Sequence, residues 1–508
     1  MTWSHSLIGL LFAAGFTMGA ACLKDGREDT DATGDDTGPG CPIGSVNCPC
    51  TAGLSCDPGL ICASQQCVPS GVTTSMDETS TGATSDADTT TGPACNAGGV
   101  GSVDVACPPE QPYCVAGSCV DCGSLECDAV SPSLPFCDPG TGLCAACLCT
   151  DAKPVCDPAA HTCNKCDAHT DCPDSACDLD TGACLPAAAT LWVGGVGCDD
   201  KGDGVKAAPL CGLDEAFARI KNGAATSVAL RVKGDAYTIA GSLHVPAGRV
   251  VALVVADDLT SGTAIQIDSP TSPTVVVDPQ GRLLLDGVEI EQSSGDGLGC
   301  TQGGMWLDRL TISGAAKRGL SLVGCTATMR RSVLVGNTTA GAEVVGGKLR
   351  VENSFISSNG NFEVPGGGVY LGDGASLEVL YTTFVDNIAA AGNPFSVACE
   401  TAKETVELRN SVAINKGLNT LCEEAIVETT AWTTSDPQGN NIAVDFGSLD
   451  MYLAEDAKVL GVYRAIPGSK LDALAMWKDG DPRVDFDGDA RPSGDNSPDF
   501  AGADRAAM

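Results

Sequence analysis

The sequence predicts an all-β protein in which a parallel β-helix solenoid follows small disulfide-rich modules and flexible linkers. Two features support this fold class: strand-like units recur at a nearly fixed interval in the C-terminal part, and 29 cysteines fall into separate groups. One is Cys22, six lie in residues 41–67, sixteen in 95–184 and six in 198–422. Because the last three groups are even, each can pair within its own segment, as expected in an oxidising, extracellular compartment.

The N-terminus predicts export. Residues 1–21 read as a signal peptide, since the apolar run over 6–21 is too short to span a membrane comfortably. The run ends at Gly19-Ala20-Ala21-Cys22, which resembles the lipobox of bacterial lipoproteins and implies a lipid on Cys22. Leu23 stands where such lipoproteins carry Asp for retention at the inner membrane, so the resemblance implies the outer membrane or cell surface. The alternative is an ordinary signal peptide, with Cys22 as an odd cysteine that carries no lipid.

The net charge of the chain disfavours two classes of binding partner, nucleic acids and anionic membrane surfaces. A formal net charge of −36 repels nucleic acid and anionic membrane surfaces over long range, and only 4% of the residues are aromatic. We therefore expect no nucleic-acid partner and membrane contact only through the N-terminal lipid.

Composition divides the chain after the signal peptide into five segments. Residues 22–40 carry the lipid and a tether, and 69–94 form a Thr/Ser-rich linker; both contain almost no large apolar residues and cannot offset the entropy of ordering. Between them, 41–68 form a disulfide-rich module. Cys-rich repeats follow over 95–188, and the β-helix occupies 189–508.

The Cys-rich repeats share a Cys–x(4–6)–Cys core whose leading cysteines recur at intervals of 23, 19 and 21 residues, at Cys114, Cys137, Cys156 and Cys177. Each unit is too small to fold on apolar burial, so cross-links replace a core. Cys-x-x-Cys pairs also occur, which leaves zinc as an alternative. Export and the even count favour disulfides, whose connectivity the sequence leaves open.

The solenoid prediction rests on six strand-like units punctuated by Gly and Asn, which we align on Val288, Leu310, Val333, Phe355, Phe384 and Val412. The intervals are 22, 23, 22, 29 and 28 residues, so each unit adds one coil. The pairs Cys300/Cys325 and Cys399/Cys422 are separated by about one coil, and stacked strands are close enough for a disulfide to join them. Cys198 and Cys211 would close a loop at the start of the domain.

Both ends of this segment resemble right-handed parallel β-helix proteins of the pectin-lyase-like superfamily. The start, from LWVGGVGCDD to GDAYTI, is similar to the N-terminal part of those proteins and implies a capping helix over Leu213–Lys221. The end, DFDGDARPSGDNSPDFAGADR, resembles the closing segment of bacterial β-helix surface proteins. The resemblance covers about 310 residues and implies a fold; a fold does not determine a function.

Two polar patterns could carry chemistry in the β-helix. One is a column two positions before the aligned apolar residues, formed by Asp286, Asp308, Arg331, Asn353, Thr382 and Asn410; a hydrogen-bonded turn ladder between coils explains it better than a site. The other is Asp485, Asp487 and Asp489, whose alternate spacing suits calcium although the EF-hand pattern fails. An acidic turn capped by Arg483 and Arg491 is the alternative to calcium.

Residues 309–350 carry seven basic residues and one acid, in contrast to the rest of the chain. A basic strip for an acidic glycan or another surface anion could result, formed by Arg309, Arg318, Arg330, Arg331 and Arg350. The alternative is solvated arginines that balance acidic residues on neighbouring coils.

We expect a surface lipoprotein whose β-helix is a non-catalytic module for binding or structure, with a surface polysaccharide or another cell-surface protein as partner. The enzyme alternative is a calcium-dependent polysaccharide lyase or glycosidase, which would need acids held close together beside a base. A third possibility is a purely architectural stalk.

Overall fold

The structure is a computed structural model that divides the chain into two compact units, residues 1–89 and 90–508. It describes residues 60–63, 66–69, 113–115, 118–120, 127, 133–138, 143–233, 236–256, 265–268, 272–361, 366–389, 395–419, 421–422, 425–433, 440–444, 452–456 and 459–506. The predicted signal peptide, Cys22, the tether, the 69–94 linker beyond Pro69 and most of the 41–68 module lie outside the described residues. In the first unit, strands Leu60–Ala63 and Gln66–Pro69 pair antiparallel.

Each Cys-rich repeat is built around a short antiparallel hairpin. The four hairpins are Tyr113–Val115 with Ser118–Val120, Phe136–Asp138 with Leu143–Ala145, Val155–Asp157 with Thr162–Asn164, and Cys177–Asp178 with Ala183–Cys184. Their cysteines face each other directly across the strands, as Cys156 faces Cys163. Short 3₁₀ helices lie at His169–Asp171 and Ala187–Ala189.

Cys144, Cys156, Cys163, Cys177 and Cys184 of these hairpins each bond to a cysteine earlier in the chain and not to the cysteine that they face. The disulfides are Cys127–Cys144, Cys147–Cys156, Cys149–Cys163, Cys166–Cys177 and Cys172–Cys184. Each of the last two hairpins is thus fixed by two bonds to the preceding loop, and these cross-links take the place of an apolar core. Two groups of three cysteines have sulfur atoms within 4.8 Å of one another, Cys147/Cys149/Cys163 and Cys166/Cys172/Cys184, but every one of these atoms is in a disulfide.

The C-terminal domain is a parallel β-helix whose coils each contribute one strand to three sheets. Sheet A contains Thr190–Val193, Ser227–Val232, Val250–Val255, Arg282–Asp286, Gly304–Asp308, Thr326–Arg330, Lys348–Glu352, Ser376–Leu380, Thr405–Arg409 and Ile426–Glu428. Sheet B contains Ala236–Thr238, Ile265–Asp268, Val288–Glu291, Thr311–Ser313, Val333–Val335, Phe355–Ser357, Thr383–Val385, Val412–Leu418, Ala431–Thr433 and Ile442–Ala443. Sheet C contains Leu243–Val245, Val275–Val277, Leu298–Thr301, Arg318–Val323, Ala340–Val345, Val369–Gly372 and Phe395–Cys399, and ends on the second half of Val412–Leu418.

The register of sheet B corrects the predicted alignment. The continuous inward column is Ile290, Ile312, Leu334, Ile356, Phe384 and Ala413. Val333 and Phe355 point outward into a second apolar cluster, because the closing segment of the chain covers that part of the sheet. A slip of one residue exchanges the two faces of a strand, so the predicted alignment mixed inward positions such as Phe384 with outward positions such as Val333.

Two hydrogen-bonded ladders connect the coils at their corners. At the corner between sheets A and B, the hydroxyls of Ser332, Ser354, Ser411 and Thr430 accept hydrogen bonds from backbone amides of the preceding coil at 3.0–3.3 Å. At the corner between sheets B and C, buried Asn337, Asn359 and Asn387 stack, with amide-to-carbonyl distances of 2.9 and 3.0 Å. The ladders use different residues from the predicted polar column, of which only Thr382 takes part, through its backbone amide.

The β-helix is closed at its start by helix α1, Leu213–Asn222, one residue longer than expected. Asp200 accepts hydrogen bonds from the amides of Cys211 and Gly212 at 2.7 and 3.1 Å, beside the disulfide Cys198–Cys211. The apolar face of α1 is buried over the first coils. The disulfides Cys300–Cys325 and Cys399–Cys422 each link adjacent coils, the two pairs that the coil spacing suggests.

The chain ends in a closing segment, residues 452–506, that packs on the outer face of sheet B. It forms two hairpins, Leu453–Glu455 with Tyr463–Ala465 and Ala475–Trp477 with Ser497–Asp499. Asn410 fixes it to the β-helix through a two-way contact with the backbone of Met476, both hydrogen bonds measuring 3.1 Å. Among the described residues, no helix is long and apolar enough to cross a membrane.

Candidate functional site

The five arginines of the predicted basic strip are ion-paired and lie on two faces of the β-helix. Arg330 and Arg331 both bind Asp308, with Nε to carboxylate distances of 2.9 and 2.8 Å. Arg309 binds Asp286 at 2.7 Å on the same edge of sheet A. Arg318 belongs to sheet C, where it binds Asp296 at 2.7 Å and also Glu343.

The fifth member, Arg350, binds Glu352 at 2.5 Å and also Glu378. Five arginines therefore meet six carboxylates, Asp286, Asp296, Asp308, Glu343, Glu352 and Glu378, so the set carries a net charge of −1. Burial opposes ionisation of Asp308, but the charges and hydrogen bonds of Arg330 and Arg331 outweigh it and hold the pKa of that carboxyl below its usual value. Such a carboxylate is a poor proton donor.

The aspartates of the closing segment do not form the expected calcium site. Asp485 accepts a hydrogen bond from the amide of Asp489 at 2.9 Å, and Asp487 binds Arg464 at 2.7 Å. In the part of the chain that the structure describes, the groups of three or more potential metal ligands consist of cysteines alone. Calcium is therefore not supported at Asp485, Asp487 and Asp489: the Asp485 side chain serves a turn, and the Asp487 side chain serves an ion pair.

Arg491, which follows these aspartates in the sequence, connects the closing segment to the β-helix. Its side chain is fully buried and donates to Asn353 Oδ1 at 2.9 and 3.1 Å and to Asp499 at 2.9 Å. It also lies over the rings of Tyr381 and Phe500, at 3.9 and 4.3 Å from their centroids. Arg491 does not cap the acidic turn with its side chain; its backbone amide donates to the carbonyl oxygen of Arg483 at 2.9 Å, and the Arg483 side chain is exposed.

The corner between sheets C and A carries two glutamines, Gln280 and Gln302, whose backbone conformation is strained. Two residues before six of the ten strands of sheet A, the backbone turns through a left-handed conformation with φ between 50° and 71°, at Gly248, Gln280, Gln302, Gly324, Gly346 and Gly374. Four coils use glycine there, which adopts this conformation without steric cost. Gln280 and Gln302 use it at a cost of roughly 1–2 kcal/mol each.

At one other corner, residues in this conformation make contacts within the protein. At the corner between sheets A and B the left-handed residues include Arg309, Asn353 and Asn410, which bind Asp286, Arg491 and Met476 respectively. The amide groups of Gln280 and Gln302 are exposed and make no hydrogen bond to any described residue. Strained residues without a structural partner are typical of ligand contacts.

Both glutamines line a groove of 360 Å³ where the last Cys-rich repeat meets the β-helix. Its other polar lining residues are Asp180 from the repeat and Arg282, Thr326 and Thr328 from sheet A. The volume lies at the lower end of small-molecule sites, about 300–1,000 Å³. Backbone at Gly303 forms part of the floor, where an added Cβ would meet the carbonyl oxygen of Gly281 at 2.6 Å.

One wall of the groove is held by an ion-pair triad. Arg282 donates to Asp178 at 2.7 and 3.2 Å and also binds Asp180. Burial opposes ionisation of Asp178, but the hydrogen bonds and charge of Arg282 outweigh it and hold the pKa of that carboxyl below its usual value. The triad joins residues about 100 positions apart and fixes the repeat against sheet A.

The repeat is fixed to sheet A by further contacts. Ala176 and Leu185 pack on Leu284 and neighbouring apolar residues of sheet A. Buried Arg231 donates to the carbonyl groups of His169 and Cys172. Burial lowers the pKa of His169 to about 4. The groove is therefore a rigid composite of the repeat and the β-helix.

Comparisons with known proteins cover both parts of the chain. Residues 81–190 match a family of unknown function, DUF8331, over the Cys-rich repeats. No curated protein matches the chain. Among solved structures, pectate lyase Pel9A is similar over 62% of this chain and 97% of its own, with 14% identity and a TM-score of 0.33. A rhamnogalacturonan lyase is similar over 60% of this chain and 95% of its own, with 10% identity and a TM-score of 0.31. Values this low carry nothing about the activity of this chain.

Proposed function

We propose that this protein is an exported surface lipoprotein that binds polysaccharide, without cleaving it, in the groove between the last Cys-rich repeat and the β-helix. The observation that carries the proposal is the pair Gln280 and Gln302, which accept backbone strain where other coils use glycine and present unbonded amides to the groove. Adjacent coils are about 4.8 Å apart, so the two amides can contact successive groups of an extended chain.

A hydroxyl-rich ligand fits the lining. A glutamine amide offers two donors and an acceptor, and a threonine hydroxyl both donates and accepts, as sugar hydroxyls do. The groove is shallow and its side chains are mainly polar, with Met305 almost fully buried. It offers no deep apolar pocket of the kind that anchors a peptide side chain.

The electrostatics favour binding over catalysis. General acid–base cleavage needs a group whose pKa lies near the working pH. Asp178, which binds the lining residue Arg282, is instead held ionised by that arginine. Binding that leaves the ligand intact requires no such group.

The test uses the purified full chain and immobilised dextran, mannan, polygalacturonate and alginate, with retention and new reducing ends both measured. We expect retention on at least one polymer, no new reducing ends, and at least tenfold weaker binding for the double variant Gln280→Gly/Gln302→Gly. Gln292→Gly is the matched control, since Gln292 is also exposed and left-handed, with φ of 49°, but lies at another corner outside the groove. New reducing ends, or equal losses in both variants, would refute the proposal.

The surface location is tested separately. If Cys22 is acylated, the chain partitions with membranes, and Cys22→Ala releases it into the medium. Partitioning that does not change in Cys22→Ala would refute lipid anchoring.

A further inference from the structure

The charges of the groove restrict the polysaccharide that it accepts. Arg282 is the one cationic residue among those that line it in the described part of the chain. Its guanidinium is already bound to two carboxylates, Asp178 and Asp180. The triad therefore has a net charge of −1, within a chain of net charge −36.

An acidic ligand would have to compete for Arg282 with groups that are fixed in place. The side chain of Asp178 is only 11% exposed and binds through both oxygens, so its position is set by the packed hairpin. Asp180 is 55% exposed and projects its charge toward the groove. A carboxylate or sulfate on the ligand would lie close to this charge and be repelled.

The remaining contacts are uncharged. Gln280, Gln302, Thr326 and Thr328 offer amide and hydroxyl groups that match the alcohols of a sugar ring. None of these four gains from a negative charge on the ligand as an arginine would.

We propose that the groove selects uncharged polysaccharides and discriminates against acidic ones. This inference rests on the proposed binding function and names its ligand class. It also replaces the acidic glycan that the arginines of residues 309–350 suggest, since those arginines are neutralised by carboxylates. Asp180 is the specificity-determining residue.

The experiment compares polymers that share one backbone and differ only in charge. The probes are dextran with carboxymethyl-dextran and hydroxyethyl-cellulose with carboxymethyl-cellulose, titrated with the full chain at 20 mM and 500 mM NaCl. We expect the carboxymethyl form to bind about tenfold more weakly at low salt, which corresponds to about 1.4 kcal/mol. The difference should shrink at high salt, because screening weakens the repulsion.

Asp180→Asn supplies the second readout. Removing this charge should raise the affinity for the carboxymethyl polymer relative to the neutral polymer by about three- to tenfold. Equal or tighter binding of the carboxymethyl form by the unaltered chain would overturn the inference while leaving a binding function intact. Failure to bind any of these polymers or those of the wider panel would refute the binding function itself.

Discussion

Replacing Arg491 tests how the closing segment is held on the β-helix. Arg491→Met keeps an unbranched side chain against Tyr381 and Phe500 but removes five hydrogen bonds of 2.9–3.1 Å. It also leaves Asp499, whose side chain is 5% exposed, buried without its cation. Removing one partner of a buried ion pair costs about 3–5 kcal/mol.

The assay is hydrogen exchange of backbone amides over residues 459–506, read as a free energy of local opening. We expect that free energy to fall by about 3–5 kcal/mol in Arg491→Met, while the coils over 282–352 keep their protection, because a solenoid can open locally. Arg483→Met is the control, since Arg483 belongs to the same motif and is exposed. A change below about 1 kcal/mol in Arg491→Met, or equal effects in the two variants, would show that Arg491 does not hold the closing segment on the β-helix.

Three further perturbations follow from the packing. Asn359→Leu should lower the free energy of unfolding by about 3 kcal/mol or more, measured in urea, because it breaks the ladder and leaves buried groups of its neighbours unbonded. Arg330→Ser with Arg331→Ser should cost about 3–5 kcal/mol, since Asp308 is 1% exposed, without weakening retention on neutral polymers. Folding lowers the pKa of His169 from 6.5 to about 4. Between pH 6.5 and pH 4, His169 is therefore protonated in the unfolded chain but neutral in the folded chain. Stability should therefore fall by about 3 kcal/mol between pH 6.5 and 4, and His169→Gln should flatten that slope; a slope unchanged in the variant would contradict this.

The fold class was accessible from sequence because each coil repeats the same apolar alternation. The register was not, because Val333 and Phe355 are apolar on the outer face, where the closing segment covers them. In the sequence these side chains cannot be distinguished from residues of the β-helix core. Their outward direction becomes clear only once the closing segment is seen to cover them.

The arginines resemble an unpaired basic strip in the sequence for a related reason. Residues 309–350 have a net charge of +6, but partners of these arginines, such as Asp286 and Asp308, lie on preceding coils. The charges therefore come together only in the folded β-helix. Gln280 and Gln302 can be recognised in the sequence. Each lies two residues before a strand and is followed by a glycine, whereas four other coils have glycine at the position of the glutamine. Recognising this pattern requires the correct register, and Asp180 comes from a repeat about 100 residues away.

Ligand binding at the corner formed by Gln280 and Gln302 can be tested by hydrogen exchange of the full chain, with and without a saturating neutral polymer that it retains. We expect protection of the amides around residues 280–282 and 302–304 and of the hairpin at 178–183, with little change at 309–311 and 331–333. Protection at the arginine corner in place of the glutamine corner would contradict this expectation.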